Sequence, residues 1–377
     1  MHYFTELDKK IFLRASSMMA VFVLLIACST DAITEIEDVV SDAVENPAED
    51  PMSTPENPES TEEPATGGIS FESGFVLHED RRLVNLVLSS SDYDAFIEGE
   101  GDLKLVSNKV YEHMNDDFDF LIILSVEATQ PPDLFYGRST SVQNKVQGLG
   151  NSTYNGAAAY GATDRLQSII YMPRSEYVKS GPFLHEIAHT WGNKGFIPTT
   201  VGGHWGYAST AGQLGGFDAL QDLGSNTYRG QMNGTNGFGS FANGGNSVPY
   251  GNLELYLMGL IPSNELESVQ VAVNPQPGSS AGEFTAEAID TYTPEALIME
   301  HGARIPSYEN SQKAFNALAV IISKEMLSDE RIDTINTDLE NFSRPAAPDN
   351  WGSSNNFWMA TQGKASFDFA VRQESIK

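Results

Sequence analysis

The chain has 377 residues, 40% of them hydrophobic and 10% aromatic, which is enough for one large or two medium domains around a sizeable core. Its formal charge of −29 argues against nucleic acid or an anionic membrane surface as a partner, because both require clustered Lys and Arg. One cysteine, Cys28, rules out disulfides within the chain and cysteine-based zinc or redox chemistry.

Lys9, Lys10 and Arg14 precede the apolar run Met18 to Ala27, which ends at Cys28. A basic start, a short apolar stretch and a small residue before the cut describe an export signal, and the run is too short for a membrane-spanning helix. Leu25-Ile26-Ala27-Cys28 also resembles the lipobox of bacterial lipoproteins. That resemblance implies a signal over residues 1–28, lipidation of Cys28 and anchorage of an exported chain at the bacterial cell envelope. Residues 29–70 are expected to form a disordered tether, since Ser29 to Gly68 holds twelve Asp and Glu with no Lys or Arg.

The globular part, residues 71–377, is expected to divide into an upper part to residue 192 and a lower part from 193. Leu83 to Leu88 reads as a buried strand, and Asp92 to Met114 has loose helical spacing. Phe118 to Val126 is short, rich in β-branched residues and followed by Pro131-Pro132, so it reads as a strand. Leu166 to Met172, closed by Pro173, is another. Strands and helices in this order predict a mixed sheet with helices, an α+β fold. Gly192 to Tyr250 is rich in Gly, Asn and Ser and has little periodicity; long irregular segments inside domains are usually functional. Helices are expected over Leu253 to Leu260, Ser311 to Met326 and Glu330 to Phe342. Short strands are expected over Asn356 to Ala360 and Ala365 to Val371. The C-terminal part would thus be mainly helical.

The chemistry concentrates between Ser180 and Gly192. Ser180 suits an N-cap, Gly181-Pro182 suits a first turn, and Leu184, Ile187, Ala188 and Trp191 form one apolar stripe. His185 and His189 lie one turn apart, so both imidazoles project from one face and can reach one Zn²⁺ ion. Glu186 beside them is placed to take a proton from water and pass it to a leaving amine.

His185-Glu186-Ile187-Ala188-His189, continued to Gly192, resembles the motif H-E-x-x-H-x-x-G of the metzincins, a clan of zinc peptidases. The resemblance implies a zincin-type fold, a catalytic zinc and a third protein ligand. Gly195 stands where that clan places its third histidine. The next histidine is His204, in Gly202-Gly203-His204-Trp205-Gly206, and leishmanolysin-like enzymes tolerate such an insertion. His204 is the favoured third ligand; Glu254, as in thermolysin-like enzymes, and Asp218, as in the aspzincins, stay open. Met258 is the candidate for the methionine turn that the resemblance implies. Zincins also pair peptide substrates with the edge strand before the metal helix, which here would be Gln167 to Met172.

Together these features predict an envelope-anchored zinc endopeptidase acting on proteins or peptides, with Glu186 as general base. The rivals are a surface adhesin or glycan-binding lipoprotein with a structural zinc, and a zinc amidase acting on cell-wall peptides.

Overall fold

The computed structural model describes residues 68–377; Cys28, the expected signal and nearly all of the expected tether lie outside the described residues. Eight strands build the main sheet: β1 (Gly68–Glu72), β2 (Phe75–His78), β3 (Leu83–Val87), β4 (Phe120–Leu124), β5 (Arg138–Ser141), β6 (Ser168–Met172), β7 (Ala314–Ser323) and β8 (Ser366–Phe369). They lie in the order β1-β2-β3-β7-β4-β6-β5, with β8 also paired to β7. The centre, β3-β7-β4-β6, is parallel, and β5 closes one side antiparallel to β6. β1 begins at Gly68, so structure starts slightly inside the stretch expected to be tether.

Helices cover both faces. On one, α1 (Ser90–Ile97) and α2 (Leu103–His113) pack Tyr93, Phe96, Val106 and Val110 against Leu121, Ile123, Ile169 and Val320. On the other, Phe120, Ile122, Ile170 and Ala319 meet α3 (Tyr177–Ser180), α4 (Phe183–Ala188), α5 (Asn252–Met258), α6 (Pro294–His301), α7 (Asp329–Ser343) and α8 (Phe357–Ala360). Alternate residues of each central strand therefore enter different cores, and both cores are apolar.

Several expected elements are corrected. Ser311 to Met326 does not form a helix; its core is β7, whose residues from Phe315 onward are all buried. A strand covered on both faces reads as one apolar run, which periodicity alone cannot separate from a buried helix. β7 also lies between β3 and β4, so part of the expected lower portion forms the middle of the upper portion's sheet. Asp92 to Met114 is two helices, capped by Ser89 and Asp102, with a break at Gly99, whose φ is 85°. A Cβ on Gly101 would stand 2.3 Å from the Phe96 ring, so the chain folds back tightly on α1 there. Asn356 to Ala360 is the short helix α8, because the Asn356 side chain accepts the Met359 N–H at 3.0 Å and caps it. The C-terminal part is not mainly helical. Besides β7 and β8 it carries a five-stranded sheet, including Ala219–Gly224, Thr227–Met232 and Glu283–Thr285, and a ribbon of Val269–Val273 with Ala288–Tyr292. Gln167 to Met172 is also not an edge: β6 pairs with β4 on one side and β5 on the other, which leaves β5 as the edge strand.

Candidate metal centre

Helix α4 is six residues long, and a distant loop holds its start. Ser180 is not its N-cap; it ends α3 and bonds back to the Glu176 carbonyl. The cap is supplied instead by Asn246, whose Oδ1 accepts the Leu184 N–H at 3.0 Å. Its Nδ2 donates to the Val178 and Lys179 carbonyls. Tyr250 donates its hydroxyl to the Leu184 carbonyl at 2.9 Å, tying the helix to the chain before α5. Leu184, Ile187 and Ala188 enter the core, as their spacing predicts.

Beyond α4 the chain turns at Gly192, where a Cβ would meet Leu214 Cδ1 at 2.3 Å. It returns through a tight turn, Val201 to His204, closed by the His204 N–H on the Val201 carbonyl. Gly202 and Gly203 hold φ values of 37° and 81° in that turn, a region costly for other residues. The turn carries His204 to the face of α4 that bears His185.

His185, His189 and His204 converge there, within 4.8 Å of one another through one ring nitrogen each. His185 Nε2 lies 3.0 Å from His189 Nε2 and 3.2 Å from His204 Nε2. Backbone carbonyls fix the tautomers of two rings. His185 Nδ1–H donates to Gln213 at 2.7 Å, and His204 Nδ1–H donates to Gly202 at 3.1 Å. Both Nε2 atoms then carry bare lone pairs aimed at each other, an arrangement that repels until a cation lies between them. A tetrahedral zinc with bonds of about 2.0–2.1 Å places its nitrogens roughly 3.4 Å apart. The three histidines are therefore arranged to hold a metal ion.

Burial sets the charge state of these groups. It pushes His185 down to about 3, with the neighbouring His204 adding to the effect, and it also lowers His189 and His204. Neutral imidazoles are the form that binds metal. Glu186 is buried and its carboxyl rises to about 8; the backbone N–H of Ser139 opposes that rise. Glu186 sits against the start of β5, where a Cβ on Gly137 would come 2.7 Å from both its Cγ and Oε1. The Ser139 hydroxyl is buried nearby and has no hydrogen-bond partner among the described residues.

The other ligand candidates lie elsewhere. Glu254 is buried and fully engaged, accepting N–H groups from Gln213 at 3.0 Å, Leu214 at 2.7 Å and Gly251 at 2.8 Å. Asp218 is exposed and accepts the Asn233 N–H. Gly195 lies beside Gly150, and Met258 ends α5, lining a cavity with Thr190, Trp191 and Arg304 that none of the three histidines lines. Sequence reasoning missed Gln213, Asn246, Gly137 and Ser139. Their parts are played by backbone atoms, a remote cap or the lack of a side chain, and none leaves a spacing signal.

Comparisons with protein-family models, with curated proteins and with solved structures return no match.

Proposed function

We propose that this chain is a zinc-dependent endopeptidase, exported and anchored at the bacterial cell envelope through lipid on Cys28. The observation that carries this reading is the meeting of three Nε2 atoms beside a buried glutamate, against β5, an antiparallel edge strand of the sheet. His185, His189 and His204 would hold the ion, the number of protein ligands that catalytic zinc sites use. When bound, Zn²⁺ supplies Lewis acidity toward a carbonyl oxygen and acidifies water.

The chain's own groups do the rest. Strand β5 offers its free edge to an extended peptide, which fixes the scissile bond opposite Glu186. Glu186 accepts a proton from water as the water oxygen bonds to the carbonyl carbon. It then returns that proton to the peptide nitrogen as the C–N bond breaks, so protons and electron pairs balance. Burial makes its carboxyl a proton holder near neutral pH, and a dication beside it opposes that rise.

Zinc-loaded protein incubated with a quenched-fluorescence peptide library tests the reading. Cleavage that is lost on chelation and in Glu186→Gln, with zinc retained by the variant, supports it. Full zinc retention with no cleavage by wild type overturns it in favour of a binding protein with a structural zinc.

A further inference from the structure

Near the three histidines and Glu186, a charged side chain meets the end of β5. Lys194 follows His189 by five residues and is half-buried in the turn that leads away from the metal helix. Its Nζ donates to the hydroxyl of Ser141, the last residue of β5, at 2.6 Å. An ammonium has three N–H donors, so two remain. No carboxylate pairs with Lys194 among the described residues, although from Phe71 onward the chain carries 37 acidic against 19 basic residues. A half-buried cation without an anion is costly to hold, and a substrate can supply the missing charge. Arg138, at the other end of β5, is engaged elsewhere, over the Phe135 ring and on the Gly99 carbonyl.

The strand measures the distance between the two groups. Glu186 faces Gly137 and Ser139, whereas Lys194 is fixed at Ser141, two residues or about 7 Å further along β5. A peptide paired along this edge keeps the same rise. On the peptidase reading, we propose that Lys194 is a specificity residue that takes a substrate carboxylate about two residues from the bond on which Glu186 acts. That carboxylate is either an Asp or Glu side chain or a free chain terminus.

The test uses zinc-loaded full chain and peptides identical except at the positions two residues to either side of the scissile bond, which carry Asp, Asn or Lys. A parallel set compares a free with an amidated C-terminus at the same distance. Wild type is expected to prefer Asp, or the free carboxylate, by about tenfold in kcat/KM. The two sets separate a side-chain from a terminal source. Lys194→Met should level the preference, and Lys194→Glu should invert it toward Lys. Cleavage without a carboxylate preference, or a preference that survives in Lys194→Met, overturns the assignment. If no peptide is cleaved at all, the peptidase reading fails, and calorimetry of the same peptides on metal-free protein decides the carboxylate site separately. Tighter binding of the Asp or free-terminus peptide, lost in Lys194→Met, supports it, and equal binding overturns it.

Discussion

Glu254 positions His185 without touching it. Its carboxylate accepts the N–H groups of Gln213 and Leu214, and the Gln213 carbonyl receives His185 Nδ1–H at 2.7 Å. The carboxylate that sequence reasoning weighed as a ligand thus acts one step further out, orienting a histidine through a loop. The close fit of the loop is visible at Gly212, where a Cβ would stand 2.2 Å from Glu254 Oε2.

Glu254→Gln leaves at least one of the three N–H groups facing an amide that cannot accept it. Zinc affinity, measured by competition with a chelator, should fall about 10–100-fold, the usual cost of losing an outer partner of a metal ligand. Glu254→Ala strands all three donors, at about 1–3 kcal/mol each, and should lower unfolding stability by at least about 3 kcal/mol. Unchanged zinc affinity in Glu254→Gln would contradict the positioning role.

Gly137 provides a test of geometry that leaves the metal ligands alone. A methyl group there collides with Glu186 at its Cγ and Oε1. Gly137→Ala should therefore keep one zinc per chain and lose kcat by roughly 100-fold, as displaced catalytic groups do. Zinc content by mass spectrometry and kcat on one peptide give the two readings. Full activity in this variant would show that Glu186 need not sit where β5 begins.

The metal-free protein should show a pH profile with two limbs. An unfolded histidine takes its proton near pH 6.5, whereas burial holds folded His185 down to about 3. Between those values the unfolded chain binds more protons, so stability falls as pH drops from 6.5 toward 3. Glu186 and Glu254 act in the opposite sense. Burial raises their carboxyls from 4.5 to about 8 and about 7, so stability falls as pH rises from 4.5 through 8. Stability of the stripped protein should peak at about pH 5–6. Glu186→Gln should flatten the alkaline limb in urea titrations. Parallel wild-type and variant curves above pH 5 would count against the buried, proton-holding carboxyl.

The three histidines were legible in the sequence because their geometry is local. A one-turn spacing puts His185 and His189 on one face, and a glycine-flanked histidine such as His204 can return to it. What holds them is not local. Asn246 and Gln213 reach α4 across long stretches of chain, Glu254 acts through Gln213, and Gln213 contributes a carbonyl that every residue possesses. The sheet shows the same division. β4 and β6 are apolar runs bounded by polar residues or proline, and both were readable as strands. β7 was not, because it is ten residues long and rich in Ala, and with both faces buried no alternation separates such a run from a buried helix. β5, Arg138 to Ser141, carries no apolar residue at all, so the edge that faces the site was invisible and its neighbour was taken for it.

Zinc K-edge absorption of the zinc-loaded protein addresses the centre most directly. Three imidazole nitrogens at about 2.0–2.1 Å and one further light ligand are expected, with His204→Ala reducing the imidazole count to two. A chain that retains no zinc after dialysis, or a wild-type spectrum with fewer than three imidazoles, would contradict the metal centre itself.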